Sequence, residues 1–127
     1  MSLDITPALP QGRQLIQSYG DGRFKISDQT YDRPVIIFPE ETVFWDAGDL
    51  MDPALDMFQP IIDADPAVDI LLVGCGPVTL LIPPAFRDSM KERGIVLEPM
   101  DTGAACRTFN VLLSEERRIA AALIPVD

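Results

Sequence analysis

The spacing of apolar and polar positions changes rhythm near residue 48. Before it, short apolar runs are separated by turn residues, which is a β pattern. "GRQLIQSYGDGRFKIS" holds two such runs around Gly20-Asp21-Gly22, a composition suited to positive φ, and this predicts a hairpin. "PVIIF" and "TVFWDA" follow as two more strands, separated by Phe38-Pro39-Glu40-Glu41. Pro34 at the head of its run fits a strand end or a sheet edge.

Beyond residue 48, helix and strand alternate. Asp52-Pro53 reads as an N-cap and first-turn proline, opening a helix over "ALDMFQPIIDA" that Pro60 kinks or interrupts. "VDILLV" is nearly continuous in apolar character, as expected of a strand buried on both faces. "PAFRDSMKER" predicts a helix with Phe86 and Met90 on one face and Gly94 as its stop. "IVLEPM" is the next strand. "GAACRTFNVLLS" is a helix capped by Asp101 or Thr102, with Ala105, Phe109 and Leu112 on its inward stripe. "RIAAALIPV" closes the chain as a strand.

The order ββββαβαβαβ predicts an α/β fold: a single-domain layered sandwich over residues 1–127, with about three helices and a mixed, partly parallel central sheet. The N-terminal β hairpins either pack on one side of that sheet or extend it.

"ILLVGCGPVT" ends a buried strand in a glycine turn and invites a nucleotide-binding reading. Gly74 and Gly76 stand where the first two glycines of such a motif would, and Glu98 lies about the right distance downstream for a ribose. Three features oppose it. Thr79 replaces the third glycine, Pro77 removes a backbone N–H, and "VTLLIPP" separates the turn from the next helix. The bend is thus expected to stand apart from any helix start, with Gly74 and Gly76 serving a sharp turn at the sheet's carboxyl edge.

Charge narrows the partners. Twenty acidic against ten basic residues give a formal net charge of −10, which repels phosphate backbones and anionic lipid heads. Nucleic acid is disfavoured as a partner. The longest apolar runs are far short of the roughly 18 residues that span a bilayer, and "MSLDITPALPQGR" lacks the pattern of a secretory signal. A cytoplasmic protein without transmembrane segments is expected.

Histidine is absent and the two cysteines, Cys75 and Cys106, fit free thiols better than a disulfide or a zinc site. The commonest general base and metal ligand are therefore missing, and neither a cofactor nor a metal is expected. The carboxyl edge still gathers polar residues: Asp101, Thr102, Arg107, Thr108 and Asn110 surround a helix start. Cys106 beside Arg107 could have a lowered thiol pKa or could simply be packed. Glu115, Glu116, Arg117 and Arg118 read as a solvated turn with local ion pairs.

"FWDAGD", "ILLVGCG" and "GIVLEPMDTGAACRTFNVLLSEERRIAAALIP" resemble a small family of uncharacterised domains whose mitochondrial member is respiratory complex I assembly factor 3. The resemblance covers nearly the whole chain and is most specific from Met100 to Pro125. It implies a compact α/β sandwich with a mixed sheet and no established enzymatic activity. It also implies a role alongside a partner protein in building complex I. Where members carry Gly-Thr-Gly, this chain has Gly74-Cys75-Gly76, which argues against an essential hydroxyl or an essential Cys75 there. By likeness to the family pattern, Asp101, Thr102, Cys106, Arg107, Thr108, Asn110 and Glu115 become site candidates.

Two functions follow as expectations. One is a non-catalytic interaction protein acting in assembly. The other is a small-molecule or nucleotide-binding domain, enzymatic or not, with a crevice at the carboxyl edge. The apolar runs from Pro34 to Trp45 also offer a β edge for homo-oligomer formation.

Overall fold

Turn chemistry sets the first hairpin. Asp21 and Gly22 both adopt positive φ (55° and 72°), as a two-residue turn between right-twisted strands requires. They join β2 (Ile16–Gly20) to β3 (Arg23–Ile26). The computed structural model describes residues 3–4, 13–115 and 118–127. It adds two strands to this hairpin that the sequence pattern did not disclose, β1 (Leu3–Asp4) and β4 (Gln29–Tyr31). Together they form an antiparallel sheet in the order β1-β2-β3-β4.

The second hairpin does something different. β5 (Val35–Ile37) and β6 (Thr42–Phe44) join the main sheet, because β5 pairs antiparallel with the last strand, β9 (Ile119–Leu123). The main sheet runs β6-β5-β9-β7-β8, with β7 (Ile70–Gly74) parallel to both β9 and β8 (Val96–Met100). One hairpin packs beside the sheet and the other extends it, so both expected placements occur. The mixed α/β architecture is as the alternation of elements predicts.

The helix expected over 54–64 is much shorter. Leu55–Phe58 forms a 3-10 helix and Gln59–Ile62 a single α turn, α1, with Pro60 in its first turn. A proline inside a continuous helix would clash with the carbonyl four residues back. The chain breaks at Phe58 and restarts, so Pro60 occupies the one place where its missing N–H costs nothing. Asp52-Pro53 caps no helix; the N-cap is Ala54, without a side-chain bond. α2 (Pro84–Glu92) starts on a proline and ends before Gly94, whose φ is +81°.

Side chains alternate across the central strands and divide the core in two. Leu71, Val73, Ala120 and Ala122 face one layer, where Phe58, Ile61, Ile82 and Met90 cover them. Leu72, Ile119, Ala121 and Leu123 face the other, which is filled by α3 (Thr102–Ser114) and the inner side of the small sheet. All five residues of β9 are buried, and Ala121, the alanine on the α3 side, leaves room for that helix to lie close. The inward stripe of α3 is Ala105, Cys106, Phe109 and Leu113; Leu112 is only half-buried, one position off the expected stripe.

Candidate functional site

The carboxyl edge is built around Thr102. Its hydroxyl accepts the Gly76 N–H at 2.9 Å and donates to the Ile124 carbonyl at 2.7 Å. Its own N–H bonds the Gly76 carbonyl at 2.9 Å, while the Cys75 and Ile124 N–H groups reach the Met100 and Gly74 carbonyls at 2.8 and 3.0 Å. The glycine turn is thereby tied to both neighbouring strand ends. Thr102 is fully buried.

The glycine bend does not stand apart from helix starts. It abuts the N-terminus of α3, the helix after the next strand, because β7 and β8 are parallel neighbours and α3 begins where β8 ends. A Cβ on Gly74 would lie 2.8 Å from Leu123 Cδ2 and 3.1 Å from Thr102 Cα, so a side chain there would force Leu123 to move and crowd the start of α3. Gly76 needs glycine for its φ of +103°. The helix tip itself is occupied. Asp101 caps it, its carboxylate accepting the Ala104 N–H at 2.8 Å, and the Thr102 hydroxyl takes the N–H that Gly76 would otherwise offer.

Further along α3 two of the polar candidates tie the helix to the small sheet. Asn110 is buried and mimics a strand partner: its amide donates to the Ile16 carbonyl at 2.8 Å and its carbonyl accepts the Ile16 N–H at 3.2 Å. Arg107 donates through Nη1 to the Tyr19 hydroxyl. The glycine at 103 makes space for this contact, since a Cβ there would sit 2.8 Å from Tyr19 Oη. Tyr19 and Gly103 lie outside the residues the sequence singled out. Thr108 is half-buried, and Glu115 is exposed at the C-terminal end of α3, remote from the glycine turn along the helix. Glu98, the position considered for a ribose, is exposed on the edge strand β8.

Cys106 is packed in the core. Burial pushes its thiol up to about 12, overriding the lowering influence of Arg107. Alkylation near neutral pH should accordingly run far slower than for a free peptide thiol, while full alkylation should appear in denaturant. The raised value also carries a stability sign. The folded chain holds the thiol proton more tightly than the unfolded chain, whose reference value is 9.0. This contribution is whole below about 9 and is lost as pH rises toward about 12.

Arg118 departs from the expected local ion pair, and Glu116 and Arg117 lie outside the described residues. Its guanidinium reaches the β5–β6 turn, bonding Glu40 at 2.9 Å and the Pro66 carbonyl at 3.4 Å. Beside it lies a cleft of about 400 Å³ whose apolar lining is Phe38, Val43, Pro60 and Ala64. A second cleft of about 420 Å³, lined by Trp45, Met57 and Asp56 among others, shares Pro60 with it. The chain holds a signal for this region in its charge pattern. Nine of its twenty acidic residues fall between Glu40 and Asp69, and no lysine or arginine occurs from 34 to 86.

Residues 16–124 match the family described as protein of unknown function (DUF498/DUF598). The chain belongs to this family. It is similar to NADH dehydrogenase (ubiquinone) 1 alpha subcomplex assembly factor 3 of Danio rerio (34% identity) and of Mus musculus (36%), in each case over 87% of this chain. The match spans 64% and 60% of those relatives' own length. An uncharacterized protein of Rhodobacter capsulatus is 32% identical over 87% of this chain and 84% of its own. Among solved structures, an outer membrane protein from Bartonella henselae is 34% identical, with a TM-score of 0.79 over 91% of this chain and 98% of that one. A Bordetella parapertussis protein is 30% identical, with a TM-score of 0.80 over 94% and 99%. A Mth938-like domain of Bordetella pertussis shares the fold at 23% identity, with a TM-score of 0.79 over 97% of this chain and 92% of its own. Among the described residues no helix is long and apolar enough to cross a membrane.

Proposed function

We propose that the chain is a non-catalytic assembly factor for a respiratory membrane complex, acting from the cytoplasm by binding a protein partner. The observation that carries this reading is the 34–36% identity, over 87% of the chain, to relatives named as complex I assembly factors. The carboxyl edge supports it. Thr102, Asp101 and Asn110 spend their hydrogen bonds inside the molecule, and the clefts described above lie elsewhere. Gly74, Gly76, Asp101, Thr102, Cys106, Arg107 and Asn110 then act as a framework that fixes α3 against the central strands and the small sheet, and Thr108 and Glu115 take no part in it. No cofactor enters the proposal.

Affinity purification of the tagged full chain from its native cells, in mild detergent, tests it. A subunit of the NADH dehydrogenase complex or a second assembly protein should be recovered in a stable ratio. Recovery of the chain alone, repeatedly, would overturn the reading.

A further inference from the structure

The two clefts share Pro60 and one character, apolar side chains lining them beside exposed carboxylates. Buried Phe38 and half-buried Val43 and Ala64 line the first, Trp45 and Met57 line the second, and exposed Pro60 borders both. Glu40, Glu41, Asp63 and Asp65 stand along the first cleft and Asp46 and Asp56 along the second, all exposed. Arg118 is the cation of the first cleft, and its guanidinium is committed to Glu40 and Pro66. Asp63 accepts a bond from Gln59 at 2.9 Å. Among the described residues, Glu41, Asp65, Asp46 and Asp56 have no cationic partner.

An apolar centre ringed by charge is the anatomy of a protein interface. Each cleft is also within the roughly 300–1,000 Å³ of binding sites generally. The surplus of unpaired carboxylates selects the occupant, since like charge at such a rim costs affinity and opposite charge steers approach. A second copy of this chain, itself at −10, is a poor match. Resting on the reading that the chain works by docking a protein, the geometry points to a specific occupant. It is a partner segment rich in both lysine or arginine and small apolar side chains, the apolar groups entering the two clefts and the cations meeting the rim.

The probe is an acetylated, amidated octapeptide of four Lys-Val repeats, titrated into the ¹⁵N-labelled full chain. Amide shifts should cluster in residues 38–47 and 56–66. Raising salt from about 50 to about 300 mM should weaken binding about tenfold. The double variant Glu41→Lys/Asp65→Lys, at two exposed positions, should bind about tenfold more weakly with an unchanged melting temperature. Should that variant fold poorly, Glu41→Gln/Asp65→Asn should still weaken binding by about threefold. Shifts centred elsewhere, equal affinity for a Lys-Gly octapeptide, or full binding by the double variant would each overturn the proposal. The tagged purification separates this failure from that of the broader reading. A partner recovered equally by wild type and double variant leaves docking standing and removes this surface; no partner with wild type removes docking itself.

Discussion

Asn110→Leu will cost the fold about 2–6 kcal/mol, measured as the difference in urea unfolding free energy at matched m-values. Leucine keeps the branched outline and the number of side-chain heavy atoms of asparagine while removing both hydrogen-bonding groups. The loss comes from the Ile16 N–H and C=O, which Asn110 pairs at 3.2 and 2.8 Å. Both would be left buried without partners, each at about 1–3 kcal/mol. That is a large part of the total stability of an ordinary domain, about 5–15 kcal/mol. Asn110→Asp makes the point by sign. A carboxylate can accept the Ile16 N–H but faces the Ile16 carbonyl with a second acceptor, so its pKa would rise in the folded state. The variant should therefore gain stability as pH falls toward the ordinary carboxylate range, a trend the wild type lacks at this position. A loss below about 0.5 kcal/mol for Asn110→Leu would mean the clamp between α3 and β2 is not formed in solution.

Thr102→Val should be nearly as damaging, at about 2–4 kcal/mol in the same assay, for a related reason at the other end of the helix. Valine matches threonine in shape but leaves the Gly76 N–H and the Ile124 carbonyl without the hydroxyl that now serves both at 2.9 and 2.7 Å. Thr102→Ser keeps that hydroxyl and should recover most of the loss. At a temperature well below its melting point, Thr102→Val should bind the co-purified partner as the wild type does, because the hydroxyl has an internal task. Loss of partner binding in a folded Thr102→Val protein would place the function back at the carboxyl edge.

These two residues show what the sequence could and could not disclose. The periodicity of "VDILLV" and "RIAAALIPV" identified the central strands, because strands buried on both faces have little polar interruption. The positive-φ chemistry of Gly20-Asp21-Gly22 located the hairpin for the same local reason. The failures are non-local. Gly74 and Gly76 lie beside a helix start that is 26 residues away from Gly76 in sequence at Thr102, a neighbourhood that only parallel pairing of β7 with β8 creates. Asn110 meets a strand 94 residues earlier, so a polar residue among the apolar positions of α3 looked like a surface site when it is a clamp. Cys106 was ambiguous because Arg107 is its neighbour in sequence, whereas burial against β7 and β9 decides its chemistry. β4 was hidden by a composition, Gln29-Thr30-Tyr31, with too few apolar residues for a visible alternation. The acidic clefts were legible as a charge run, yet only the fold brings Glu41 and Asp65 to one cleft.

A stable α/β framework, its polar edge consumed by internal bonds, is proposed to serve another protein's assembly. The most direct measurement is the NADH-oxidising activity of membranes from native cells with the gene deleted, alongside cells re-supplied with the chain. Activity and the assembled complex should both fall on deletion and return on re-supply, including with a Cys106→Ala variant, since that thiol is packed in the core. Deleted cells whose membranes oxidise NADH as before, with the complex intact, would contradict it.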